Sequence, residues 1–237
     1  MVSLFSKEWF QSWSRRISLH WIAEKVRKNR FRVERTHRRT GRGEVLEHRT
    51  LLAAIIVNTP QDNTTGGDGL VTLREAINAA NADATTDLGH TGSGADTILF
   101  DSTVFAGGGI ISLTAWGNTS VGVSALYVGS DITIDGPGGT NGVTIARDGS
   151  AIAMRLFFVG GTGSLTLNDL TLSNGVARGF DGGITFKGGD GGGTAGLGGA
   201  IYNQGTLTVR NSLLTGNLAI GGNGGNSNNG NQGNGGG

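Results

Sequence analysis

The chain has no cysteine, which excludes disulfides, thiolate metal sites and a thiol nucleophile. Aromatic residues make up only 6% and hydrophobic residues 36%, so any core is thin and aliphatic, which suits a narrow solenoid better than a thick-centred globular enzyme. No long hydrophobic run exists. The longest relevant one, Leu51 to Val57, has seven residues, at the short edge of a signal-peptide core and far too short to span a bilayer. A transmembrane helix is therefore not expected. The four histidines, His20, His37, His48 and His90, are scattered and polar in context, without metal-ligand spacing. Past residue 50 the one lysine is Lys187, which leaves few candidates for a general base.

What is abundant is glycine, 45 of 237 residues, far above the usual share of about 7%. The net charge of +1 conceals an asymmetry. Residues 1–50 hold thirteen Lys/Arg against five Glu (+8), and residues 51–237 hold six Lys/Arg against thirteen Asp/Glu (−7). A basic head on an acidic body suggests a leader, residues 1–54, ahead of a mature domain. Nucleic-acid binding is the competing reading of such a head, but no binding motif accompanies the charge.

The body is organised around one stretch, Gly198 to Ala219. Thr206-Leu207-Thr208-Val209 alternates polar and apolar, the period of a strand with one buried face. Arg210-Asn211 and Gly216-Asn217 supply turn residues that tolerate left-handed backbone. Ser164–Ala177 repeats the pattern of Thr206–Ala219 at an offset of 206 − 164 = 42 residues, read as about two turns of a solenoid. Asp131-Ile-Thr-Ile-Asp-Gly136 is a weaker copy. Stacked about 4.8 Å apart, these copies place Ile132, Leu165 and Leu207 in one interior column and Ile134, Leu167 and Val209 in the next. Thr133, Thr166 and Thr208 form an outward column. The fold expected over residues 55–220 is a parallel β-helix rather than an antiparallel sandwich, whose strands would not repeat in register.

Within the leader, Trp9, Trp13, Ile17 and Trp21 recur every four residues among Lys7, Arg15 and Arg16. The pattern fits an amphipathic helix over 4–22 at a membrane surface, or equally a leader with no role in the mature protein. Ile55–Asn58 reads as a first strand. Thr72-Leu-Arg-Glu75 is a capping box, and Leu73, Ala76, Ile77 and Ala80 share one helical face, so a helix over about 73–81 follows. It is placed to cover the open first rung of the solenoid. Residues 179–199 form a Gly-rich loop between rungs. Residues 221–237, all Gly, Asn, Ser and Gln, are expected to be disordered, leaving the last rung without a cap.

Three motifs carry family resemblances. Leu46-Glu-His-Arg-Thr-Leu-Leu-Ala53, after the Arg-rich head, resembles the N-terminal motif of planctomycete extracellular proteins, which implies export to the cell surface or beyond. Val71-Thr-Leu-Arg-Glu-Ala-Ile-Asn-Ala-Ala-Asn81 is similar to the "CSLREA" signature that precedes the right-handed β-helix of bacterial surface proteins, with Val71 where that signature has Cys. Gly198-Gly-Ala-Ile-Tyr-Asn203 also resembles the repeats of polymorphic outer-membrane proteins, an adhesin-like group. The resemblance spans roughly residues 46–220. It implies a right-handed parallel β-helix and a surface role, but not a shared activity, because a fold does not specify a function.

Some β-helices cleave polysaccharides with clustered Asp and Arg. The candidates here are Asp131, Asp135 and Asp169, with Arg147, Arg155, Arg178 and Arg210. Two carboxylates must face one sugar for such chemistry. The plainer reading is that these side chains close turns, and no catalytic, cofactor or metal residue is assigned. Gly188-Gly-Asp-Gly191 lacks the later Asp of a calcium nonapeptide, and Gly66-Gly-Asp-Gly69 lacks the Lys-Ser/Thr of a phosphate loop. The expected function is that of an exported, cell-surface or extracellular structural or adhesin-like protein, without cofactor. Its expected partners are envelope or extracellular glycans, or another surface protein. The alternatives are a carbohydrate-binding or polysaccharide-cleaving β-helix, or a fragment of a larger surface protein.

Overall fold

The computed structural model describes residues 53–138, 142–183 and 192–225. The leader helix, nearly all of the export motif, Lys187, the Gly188–Gly191 segment and residues 226–237 lie outside the described residues. The elements, in order, are β1 (Ala53–Val57), α1 (Leu73–Ala82), β2 (Ala95–Phe100), β3 (Gly109–Leu113), β4 (Ser124–Val128), β5 (Asp131–Asp135), β6 (Val143–Arg147) and β7 (Arg155–Val159). Then come β8 (Ser164–Asn168), β9 (Leu170–Ser173), β10 (Val176–Arg178), β11 (Ile201–Asn203), β12 (Thr206–Arg210), β13 (Leu213–Thr215) and β14 (Leu218–Ile220).

Every pairing between these strands is parallel, and each strand's partner lies one coil away in sequence. The sheets run β1-β2-β5-β8-β12, β3-β6-β9-β13, β4-β7-β11 and β10-β14. This is a parallel β-helix. The coil length follows from the register: Ala95 lies beside Asp131, Asp131 beside Ser164, and Ser164 beside Thr206. The last step corrects the sequence reading. The 42-residue offset is one turn, not two, because β8 and β12 are direct hydrogen-bonded neighbours. The extra length is the Gly-rich loop between β10 and β11.

The expected columns are in place. Ile132, Leu165 and Leu207 are in register, and the second column extends over five coils as Ile55, Ile98, Ile134, Leu167 and Val209. The outward column is a ladder of four threonines, Thr97, Thr133, Thr166 and Thr208. Corners repeat as well: Asp169 and Asn211 are both left-handed (φ 53° and 47°), as are Asn174 and Gly216 (φ 60° and 63°). Asp and Asn tolerate that conformation and Gly adopts it freely, so the chain turns the same corner twice at no steric cost.

Helix α1 closes the first coil. Thr72 Oγ1 accepts from the Glu75 N–H (3.1 Å) while the Thr72 N–H donates to Glu75 Oε2 (2.8 Å), the reciprocal cap expected from the sequence. Its buried face, Leu73, Ala76, Ile77 and Ala80, joins the same core as Ile55, Ile98 and Leu126. The far end differs. Ile134 and Leu167 are fully buried, but Val209 in the same column is 39% exposed and Leu214 is 46% exposed. The inward residues of the last coil border an open recess of about 460 Å³.

Residues 221–225, expected to be disordered, are packed. The Gly222 N–H donates to Thr194 O (2.8 Å), the Gly182 N–H to Asn223 O (2.8 Å) and the Asn223 N–H to Asp181 Oδ1 (2.7 Å). The described parts of the Gly-rich loop and tail therefore hold each other. They approach so closely that a Cβ on Gly196 would collide with the Ile220 and Ala177 carbonyl oxygens. Glycine here serves close backbone contact, which composition alone read as freedom.

Candidate functional site

The best-defined site lies where α1 meets the coil it covers. Arg74, Asn78 and Asn81 follow at i, i+4 and i+7 and form a polar stripe beside the buried face. Its two ends are bolted down. Arg74 grips Asp62 through Nε–Oδ1 (2.7 Å) and Nη2–Oδ2 (3.1 Å), and donates to the carbonyls of Ala125 (2.6 Å) and Ala115 (2.7 Å). Asn81 donates to Tyr127 O (2.8 Å) and accepts from the Gly129 N–H (2.8 Å). Asp62 Oδ2 also accepts from the N–H groups of Thr114 (2.7 Å) and Ala115 (3.1 Å). Burial pushes the Asp62 carboxyl up, but the guanidinium and the two backbone donors outweigh it and hold the group below the usual carboxylate range.

Between the bolts opens a recess of about 260 Å³, bordered by Thr64, Arg74, Asn78, Trp116 and Tyr127, with Ile77 and Leu126 among its apolar lining. Trp116 is 56% exposed although its backbone is fixed: the preceding amide is held by Asp62, and the Gly117 N–H donates to Ser124 O (2.9 Å). The sequence reading missed this site. The helical spacing of Arg74, Asn78 and Asn81 was visible, but the approach of Trp116 and Tyr127 depends on the register between coils.

On the other flank of α1, the amides of Gly67, Asp68 and Gly69 all donate to Asp87 Oδ2 (2.6, 2.9 and 3.2 Å). The glycine loop that superficially resembled a phosphate cradle thus holds the protein's own carboxylate.

The charged residues singled out in the sequence are distributed over several sheets. Asp135, Asn168 and Arg210 are level on successive rungs, so Asp135, Asp169 and Arg210 share one corner. No ion pair forms among them within the described residues; the pairs found are Arg74–Asp62 and Arg178–Asp181. Asp131 stands at the opposite end of its strand, β5. Arg147 is spent on the carbonyls of Asn174, Asp148 and Ala151. Arg155 is buried without a carboxylate. It donates to Val121 O (2.9 Å) and lies 5.1 Å over the Tyr202 ring, and its Nε has no partner. Burial pulls its affinity for a proton down, and Tyr202 acts in the opposite direction. No group of three or more His, Cys, Asp or Glu able to hold a metal occurs among the described residues.

A buried carboxylate went unnoticed in the sequence. Asp96 occupies the register position of Ile132 and Leu165 and is 1% exposed. Its Oδ1 accepts from the Ser93 N–H (2.8 Å), and Oδ2 has no partner. Burial raises its pKa above the usual carboxylate value. The Ser93 bond opposes this, and repulsion from Asp83 and Asp131 adds to it. The folded chain therefore binds the proton more tightly than the unfolded chain. The sign follows: stability is greatest below the ordinary carboxylate pKa and falls as pH rises through the raised one. Asp96→Asn is expected to raise the thermal midpoint at pH 7 and to flatten its decline above the ordinary carboxylate range, measured by melting the two proteins across pH.

No family model, curated protein or solved structure matches the chain.

Proposed function

We propose that the chain is an exported, cell-surface or extracellular β-helix that serves structure or adhesion and has no catalytic activity. The observation that supports this reading is the ladder of Thr97, Thr133, Thr166 and Thr208, an uncharged row of hydroxyl-bearing side chains on the longest sheet. A regular row of hydrogen-bonding groups on a β-helix, flanked by Asp131, Asp135 and Arg210, suits repeated weak contact with glycans or with another surface protein. The basic head with its export-like motif supports the same placement. Arg147, Arg155 and Arg178 are engaged in internal contacts, and no ion pair joins Asp135, Asp169 and Arg210 among the described residues, which gives the polysaccharide-cleaving alternative little support.

The test is fractionation of native cells followed by N-terminal sequencing. Recovery at the surface or in the medium, with the leader removed, is the expected result. An intact Met1 product in the cytoplasm would overturn the placement. Release of reducing ends from soluble polysaccharides by the purified protein would overturn the non-catalytic part.

A further inference from the structure

We propose that the recess beside α1 is a binding site for a single neutral hexopyranose residue, stacked on Trp116 and hydrogen-bonded by Asn78. The inference deepens the surface reading by naming its ligand class, and rests on that reading only for where the sugar is met.

Three observations converge. The first is unspent hydrogen-bonding capacity. Of the stripe Arg74, Asn78 and Asn81, both ends are committed to the β-helix, while the middle member, Asn78, is exposed and its amide makes no hydrogen bond among the described residues. Thr64 and Trp116 border the same recess, and their side chains likewise make no hydrogen bond among the described residues. An amide offers two donors and an acceptor, and a hydroxyl offers both roles, which matches the mixed donor and acceptor pattern of sugar hydroxyls.

The second is aromatic surface that folding does not use. Trp116 is 56% exposed in a chain with few aromatics, whereas Tyr127 at the rim already packs on Phe158 with ring centroids 5.3 Å apart. Tryptophan combines a large apolar face with a polar edge. A pyranose ring has the complementary form, an apolar C–H face and a hydroxyl rim. The backbone on either side of Trp116 is fixed by Asp62 and by Ser124, and Arg74 ties down the carbonyls of Ala115 and Ala125. The backbone that carries the indole is therefore set before a ligand arrives, which reduces part of the ordering cost of binding.

The third is charge and size. The one ion bordering the recess, Arg74, is neutralised by Asp62 at 2.7 Å, so the site does not select an anion. Its volume of about 260 Å³ falls just below the roughly 300–1,000 Å³ of pockets for drug-sized ligands, room for one ring rather than a chain.

The experiment is an NMR titration of the full-length isotope-labelled protein with methyl β-D-glucopyranoside, methyl α-D-mannopyranoside, methyl β-D-galactopyranoside and N-acetylglucosamine. Adenosine serves as a flat aromatic control. The Trp116 indole signal is identified by its loss in Trp116→Phe. The expected result is a saturable shift of that signal with at least one sugar in the millimolar range. Trp116→Ala should abolish binding, and Asn78→Ala should weaken it by about three- to tenfold, the value of one hydrogen bond. Asn78 carries no internal bond, so its variant should keep the wild-type melting temperature. No shift with any of the four sugars, a shift with adenosine alone, or binding unchanged in both variants would overturn the proposal. Sugar binding by a protein recovered from the cytoplasm would sink the surface reading and leave the site standing; a surface protein that ignores all four sugars would do the reverse.

Discussion

Arg74→Ala is expected to destabilise the β-helix by about 3–5 kcal/mol, the range for removing one partner of a buried ion pair. Few side chains in the structure join as many segments. One guanidinium connects the helix to Asp62 in the loop before it, to Ala115 after β3 and to Ala125 in β4. Alanine would leave the Asp62 side chain, 2% exposed, charged and without its cation, and would free two carbonyls whose bonds are part-buried or buried. Arg74→Lys should recover only part of the loss, because an ammonium cannot reach a carboxylate and two carbonyls in a planar fork. Urea unfolding followed by circular dichroism measures both. A cost below about 1 kcal/mol, the level of an exposed pair, would mean that the cap is held by apolar packing alone. The pH dependence is a second check. The Asp62 pKa is depressed in the folded state, so its contribution is present above the ordinary carboxylate pKa and is lost as pH falls through the lowered one. Arg74→Ala should therefore be less costly in acid than at pH 7.

The same residue shows what the sequence disclosed and what it concealed. Thr72 and Glu75 announced the helix start, because a capping box is a local device read from four residues. Leu73, Ala76, Ile77 and Ala80 announced its buried face through their period. The columns through Leu165 and Leu167 were legible because in-register copies need only a shared alternation. Arg74 was not legible. Its partners lie 12, 41 and 51 residues away, and nothing local separates a strut from a solvated helix charge. Asp96 was hidden for a related reason. It opens the segment Asp96-Thr-Ile-Leu-Phe, where a polar residue reads as an exposed strand end, and only the pairing with Ile132 places it in the interior column. The coil length was misjudged because an insertion within one turn has the same effect on spacing as a second turn. The loop at 179–199 was legible, but the start of the tail was not: composition cannot separate glycines needed for flexibility from glycines needed for close approach, as at Gly222, where a Cβ would collide with the Phe180 carbonyl oxygen.

Leu165→Ala and Leu207→Ala make the most direct test of the architecture, since they delete the same atoms from the same column one rung apart. Leu165 is fully buried, with Ile132 on one side and Leu207 on the other, so its loss is expected to cost about 3–5 kcal/mol, transfer and cavity together. Leu207 is only partly buried and borders the open recess of the last coil, with Val209 39% exposed beside it. Its truncation removes less buried area and leaves no sealed cavity, so the expected cost is about 1 kcal/mol. In a solenoid, stability is close to a sum of rung and interface contributions, and a rung with one neighbour contributes less. The same reasoning orders hydrogen exchange: amides of β12, β13 and β14 should exchange through local opening, well before those of β5 and β8. Equal costs for the two substitutions would mean that another surface, such as a second copy, covers the last coil in solution. That outcome would be accompanied by concentration-dependent melting, because association then contributes to stability. Unequal costs at every concentration would establish that the β-helix holds its shape with one end closed by α1 and the other facing water.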